Sequence, residues 1–173
     1  MTPTGNELFG TRVTWEDIEA KMKTEMGMEA DFGSRKSATN IGDQNGFLSR
    51  VCLMEPDWQG NEIDHLPSKF ITKIPCPEAF LQLLEMMEQE PPESVADPSK
   101  MTQLECLVRE FHNREVEVYR LLTRLRHPDI PFTKIYAATL VTESSEGFIL
   151  AEFKNDCYTL QPYDNLEIEQ VHK

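Results

Sequence analysis

The chain has few cysteines and histidines, and neither kind is clustered. Its four cysteines, Cys52, Cys76, Cys106 and Cys157, are irregularly spaced along 173 residues and form no C-x-x-C pair. Zinc sites need closely spaced ligands, and disulfide frameworks are typical of small secreted domains. The sequence therefore predicts four free thiols and indicates neither a zinc site nor a disulfide framework.

Basic residues and long apolar runs are also scarce. Thirty acidic side chains outnumber seventeen basic ones, which gives a formal charge of -13. This charge repels nucleic-acid phosphates and anionic lipid surfaces, so neither is an expected partner. No apolar stretch has the length of a bilayer span, and the N-terminal residues lack the basic and apolar regions of a signal peptide. We therefore expect a cytoplasmic protein.

The overall composition is typical of a folded domain. Apolar residues make up 39% of the chain and charged residues 27%, which are ordinary values for a globular protein. A length of 173 residues favours one compact domain with one core. We expect this domain to span residues 14–154, between a flexible N-terminus (1–13) and a polar tail (155–173) that is weakly helical or disordered.

Hydrophobic spacing and turn residues predict an α+β fold. A capping box at Thr14 and Asp17 opens a short N-terminal helix. An acidic, proline-rich stretch at residues 89–99 is interpreted as a mobile loop. Strand patterns cover 47–54, 69–75, 133–142 and 147–153, and a further strand is expected before the glycine-containing turn. Helical patterns cover 77–88 and 101–126. We expect a mostly antiparallel five-stranded sheet packed on one long helix.

One carboxylate interrupts the apolar stripe of the longest helix, which we expect to face the core. The stripe comprises Leu104, Leu107, Phe111, Val118, Leu122 and Leu125, and Glu115 lies among them. A buried carboxylate usually finds a cation, and Lys73 alternates with apolar neighbours on the strand at 69–75. Either these two side chains pair, or each extends separately to solvent, and the residues alone leave both alternatives open.

Four stretches of the chain carry a specific resemblance. They read FGSRKSATNIGD at 32–43, GFLSR at 46–50, NREVEVY at 113–119 and HPDIP at 127–131. Together they resemble the CHK kinase-like family, most closely its nematode branch, and its wider relatives include ecdysteroid kinases, choline kinases and aminoglycoside phosphotransferases. The resemblance extends over residues 14–153. It implies a protein-kinase-like N-terminal lobe and ATP-dependent phosphoryl transfer to a small-molecule hydroxyl.

The resemblance also implies roles for particular residues. Lys73 would contact the nucleotide phosphates and Glu115 would orient that lysine. A glycine-containing flap would cover the phosphates, and the backbone of a hinge would pair with adenine. The flap residues are Gly42, Asp43, Gly46, Phe47 and Ser49, and the hinge residues are Glu152, Phe153 and Lys154.

The catalytic motifs of the family are not found in residues 1–173. Phosphoryl transfer needs one aspartate that receives the hydroxyl proton and another that holds magnesium, both after the hinge. None of the four histidines precedes a Gly-Asp pair. The sequences DFG at 31–33 and DWQ at 57–59 spell metal-binding motifs, but both precede Lys73, so we expect a metal role for neither.

We therefore expect weak ATP binding, no catalysis by this chain alone, and no magnesium site without a further lobe. A noncatalytic interaction or scaffold module is an alternative, with self-association or docking on a full-length relative through the exposed hinge-side face. An active phosphotransferase completed by a second lobe, and an incomplete product of a longer kinase-like gene, are further alternatives. The acceptor substrate of the family is selected by residues beyond the hinge, so these residues do not indicate it.

Overall fold

The computed structural model describes residues 7–42, 48–61, 63–86 and 98–155. Its elements in chain order are α1 (Trp15–Met26), β1 (Ser37–Asn40), β2 (Ser49–Glu55), a 3-10 turn (Ile63–His65), β3 (Phe70–Pro75), α2 (Pro77–Met86), α3 (Pro98–Leu125), β4 (Ile135–Thr139) and β5 (Phe148–Glu152). This is the α+β fold expected from the sequence. Cys52, Cys76 and Cys106 are free thiols, as predicted, and Cys157 lies outside the described residues.

The five strands form one antiparallel sheet in the order β1-β2-β3-β5-β4. Both long helical segments are inserted between β3 and β4, so the chain leaves the sheet at its centre and returns at its edge. Lys73 of the central strand pairs with Val51 of β2 on one side and with Ile149 of β5 on the other. This residue therefore occupies the middle of the sheet.

The main core joins α1 to one face of the sheet. Met54 and Phe70 of the sheet and Ile18 of α1 are completely buried within one hydrophobic cluster. The predicted capping box begins α1: the Thr14 side chain accepts a hydrogen bond from the Asp17 amide, and the Asp17 carboxylate accepts one from the Thr14 amide. The cap fixes the start of the helix that covers this core.

Part of the segment 7–13 packs into the core, where the sequence predicted a flexible segment over 1–13. Leu8 and Val13 are both buried in the main cluster. Thr11 closes the turn between them, since its hydroxyl donates to the Leu8 carbonyl at 2.8 Å. Leu8, Phe9 and Val13 form no periodic pattern, so the burial of Leu8 and Val13 could not be predicted from the sequence.

The DFG and DWQ segments pack against each other and are joined by hydrogen bonds. Asp31 and Gln59 exchange backbone hydrogen bonds of 2.9 and 2.8 Å. The Asp57 carboxylate accepts from the Arg35 guanidinium at 2.8 Å, and this contact lowers the pKa of Asp57. A Cβ at Gly33 would overlap both the carbonyl and the carboxylate of Asp57, so glycine is required there. The contacts of these residues therefore join the segment after α1 to the segment after β2.

Several element boundaries differ from the predicted ones. The helix α3 begins at Pro98, inside the stretch interpreted as a loop, because proline is well suited to a first helical turn. The strands β4 and β5 are shorter at both ends than their sequence patterns. Residues 87–97, which include most of the loop predicted at 89–99, lie outside the described residues, as do residues 156–173 of the predicted tail.

The buried face of α3 is not the predicted apolar stripe. Phe111 and Val118 of that stripe are 51% and 53% exposed. The buried side chains of the helix are instead Val108, His112 and Val116. Only two of these three are apolar, so the face that packs on the protein has a weaker hydrophobic pattern than the face exposed to solvent.

Val116 and Val118 test this assignment directly, because residues two apart on a helix lie on different sides of it. Replacing Val116 with Ala should lower the free energy of unfolding by about 2 kcal/mol, since two buried methyl groups are removed and a cavity remains. Replacing Val118 with Ala should change it by less than about 0.5 kcal/mol. Urea unfolding of both variants at the same low protein concentration measures the difference. Equal losses would contradict the assigned face.

Candidate functional site

Lys73 and Glu115 form a two-pronged ion pair. The Lys73 Nζ atom lies 2.8 Å from Oε1 and 2.7 Å from Oε2 of Glu115. The two side chains are 34% and 28% exposed, so the pair lies at an open margin of the helix–sheet interface. Of the two alternatives left by the sequence, pairing and separate extension to solvent, the structure shows pairing.

Asn113 attaches α3 to the chain just after β4. Its side-chain amide donates to the Val141 carbonyl at 3.0 Å and accepts from the Val141 amide at 2.8 Å. This reciprocal pair holds α3 to that backbone two residues before Glu115. Sequence reasoning assigned no role to Asn113, although it opens one of the stretches that carry the family resemblance.

His112 makes a second contact of the same kind. Its Nε2 lies 2.8 Å from the Thr139 carbonyl oxygen, and because a carbonyl only accepts, the ring donates from Nε2. The ring is buried, and a Cβ at Gly147 would overlap it. Burial lowers the pKa of His112, and the hydrogen bond to Thr139 opposes this shift only in part. No sequence pattern indicated this role, since its partner is a backbone carbonyl.

Half-buried apolar side chains surround Lys73 on its face of the sheet. Val51 lies opposite Lys73 on β2, and Leu53 and Ala151 lie on either side of Ile71. Cross-strand partners point to the same face, so these four residues and Lys73 share one surface. The four form an apolar platform beside the ammonium group, and each is partly accessible to solvent.

The start of the predicted flap lies close to this platform. The Gly42 amide donates to Asn40 Oδ1 at 3.0 Å, and a Cβ at Gly42 would lie 2.9 Å from the Val51 Cβ. Glycine therefore lets the backbone pass close to the residue that pairs with Lys73. Ser49 begins β2 and pairs with Pro75. The other predicted flap residues, Asp43, Gly46 and Phe47, lie outside the described residues.

The predicted hinge follows directly from β5. Glu152 is the last residue of that strand, and its amide already donates to the Lys134 carbonyl at 2.9 Å. The Glu152 carboxylate lies 3.4 Å from the Lys154 ammonium. Phe153 and Lys154 follow outside the strand. The backbone amides available for a ligand at the hinge are therefore those after Glu152.

The antiparallel sheet, the long helix and the short N-terminal helix define an α+β protein, consistent with the N-terminal lobe of a kinase. The chain belongs to the family DUF1679, described as "Uncharacterized oxidoreductase dhs-27", whose model matches residues 1–173. Comparison with curated proteins and with solved structures gave no match. Within the described ranges, no helix is long and apolar enough to cross a membrane.

The buried histidine predicts a pH dependence of stability. Because the pKa of folded His112 lies below its ordinary value of 6.5, the unfolded chain binds this proton more readily than the folded one. The contribution of His112 to stability should therefore be fully present above its ordinary pKa of 6.5 and decrease as the pH falls below it. Replacing His112 with Gln should flatten this decrease. Urea unfolding across this pH range measures the slope.

The exposed His127 provides the control for this experiment. A His127→Gln variant should keep the slope of the unmodified chain, since its ring is not buried against the helix and sheet. An unchanged slope in the His112 variant would show that His112 is not held neutral by burial.

Proposed function

We propose that this chain binds ATP, with Lys73 contacting the phosphates and Glu115 holding the lysine in place. The observation that carries the proposal is the two-pronged ion pair between the centre of the sheet and α3. Ion pairs of this kind rarely stabilise a fold more than apolar residues of similar size. A positioned ammonium at an open margin is therefore better explained by an anionic ligand.

The surface beside Lys73 supports a nucleotide as that ligand. The apolar platform of Val51, Leu53, Ile71 and Ala151 offers a flat contact for a purine ring. Gly42, close to Val51, begins the flap that would approach the phosphates with backbone amides. Apolar contact on one side and a cation on the other match the two halves of a nucleoside triphosphate.

The hinge would orient the purine. With the Glu152 amide engaged by Lys134, the backbone groups of Phe153 and Lys154 are the proposed partners of the adenine edge. The described residues contact a purine from one face only, so the proposed affinity is weak. Weak binding here means a dissociation constant of about 1 mM, which corresponds to a binding free energy of about -4 kcal/mol.

The word oxidoreductase in the family description raises hydride transfer as another function. Nicotinamide dinucleotides typically bind at the glycine-rich turn of a parallel, doubly wound sheet. All strand pairings in the described sheet are antiparallel. The described geometry therefore supports phosphate binding at Lys73 better than binding of a dinucleotide.

The proposal concerns nucleotide binding and not phosphoryl transfer. Transfer requires an acidic residue at the acceptor hydroxyl and ligands for magnesium. The described part of the chain contains no group of three side chains that could hold a metal ion. We assign no catalytic residue and no magnesium ligand within it.

Isothermal titration of the chain with Mg-ATP tests the proposal. Saturable binding is expected, and a Lys73→Met variant should bind at least about tenfold more weakly, because hydrogen bonds to charged groups contribute about 1.5–3 kcal/mol. A Glu115→Gln variant should also weaken binding, since the lysine loses the group that positions it. Binding that survives the Lys73 substitution would contradict the proposed site.

Lys69 supplies a matched control four residues earlier. Its ammonium pairs with Glu55 at 2.8 Å, just before the start of β3. A Lys69→Met variant loses the same charge outside the proposed site, and should bind ATP as the unmodified chain does. Equal weakening by both substitutions would indicate a general charge effect.

A further inference from the structure

The exposed face of α3 carries apolar side chains at a regular spacing. These residues, which we call the α3 seam, are Leu107, Phe111, Val118, Leu121 and Leu125, and they are between 44% and 58% exposed. Their positions alternate in steps of four and three residues, with Arg114 occupying the one remaining position. The helix has 28 residues and is about 42 Å long, enough for four such seven-residue repeats.

This spacing is that of a coiled-coil interface. A repeat of 3.5 residues keeps one line of side chains facing a partner helix along its whole length. Large apolar patches exposed on a soluble protein mark interaction sites. We propose that the α3 seam packs antiparallel against the α3 seam of a second copy of this chain.

Arg114 decides the direction of the two helices. In a parallel pair, each seam residue faces its own copy, so two Arg114 guanidinium groups would meet within the interface. An antiparallel pair centred between positions 114 and 118 avoids this. Leu107 then faces Leu125 of the second copy, and Phe111 faces Leu121 of the second copy. Arg114 faces the smaller Val118, so four of the five apolar seam residues have an apolar partner.

The flanking charges select the same register. Glu110 lies beside Arg124 of the second copy, and Arg114 lies near Glu117 of the second copy; symmetry repeats each pair. Shifting the partner by one repeat would place Glu110 beside Glu117 of the second copy. That shift would also leave Leu125 without an apolar partner. The two Glu117 side chains approach each other at the centre of this arrangement, each near an Arg114, while the Glu110–Arg124 pairs and the apolar pairing favour it and argue for a second copy as the occupant.

Sedimentation equilibrium of the purified chain tests the proposal by charge exchange. The unmodified chain should have twice the mass of one chain at tens of micromolar, and Glu110→Arg or Arg124→Glu alone should weaken dimerisation at least about tenfold. An equimolar mixture of the two variants should dimerise again. In the mixture, arginines at both positions of one chain face glutamates at both positions of the other.

Two further variants distinguish a specific effect at the α3 seam from a general effect of changed charge or of unfolding. Glu143→Arg makes the same charge change in an exposed loop between β4 and β5, and should leave the dimer intact. Phe111→Asp should give a monomer with an unchanged circular dichroism spectrum, because Phe111 lies outside the core. A monomeric unmodified chain at about 100 μM would overturn the proposal, as would a mixture that stays monomeric or a dimer insensitive to these charges.

Discussion

The reciprocal hydrogen bonds between Asn113 and Val141 determine where α3 lies, and the candidate site depends on that position. A helix at the edge of a sheet can slide and rotate, because hydrophobic contacts have little direction. A side-chain amide that donates to and accepts from one backbone residue permits neither movement. His112 adds a second directional contact one residue earlier. Together they hold the segment of α3 that carries Glu115 in place beside Lys73.

The helix α3 therefore serves three surfaces at once. Val108 and Val116 pack inward, Glu115 lies at the margin that faces Lys73, and the α3 seam faces solvent. The inward face is narrow and is completed by the polar side chains of His112 and Asn113. Glu115 lies four residues after Phe111 and three before Val118, so the proposed nucleotide site and the proposed dimer interface border each other on this helix.

Much of this arrangement could be predicted from the sequence, because it depends on local pattern. The order of elements and the Thr14 cap follow from spacing and turn chemistry, whereas the Lys73–Glu115 pair was one of two alternatives that the sequence left open. The buried face of α3 could not be predicted, because the spacing of apolar residues does not show whether the rest of the protein packs against them. The role of Asn113 could not be predicted either, because its partner is a backbone group, which every residue has.

A crystal structure of the chain with bound ADP would test the central claim most directly. The account predicts a phosphate oxygen within hydrogen-bonding distance of the Lys73 ammonium, with that ammonium still paired to Glu115 and the purine ring against Ile71 and Val51. Nucleotide bound elsewhere, or Lys73 and Glu115 separated in the complex, would contradict it.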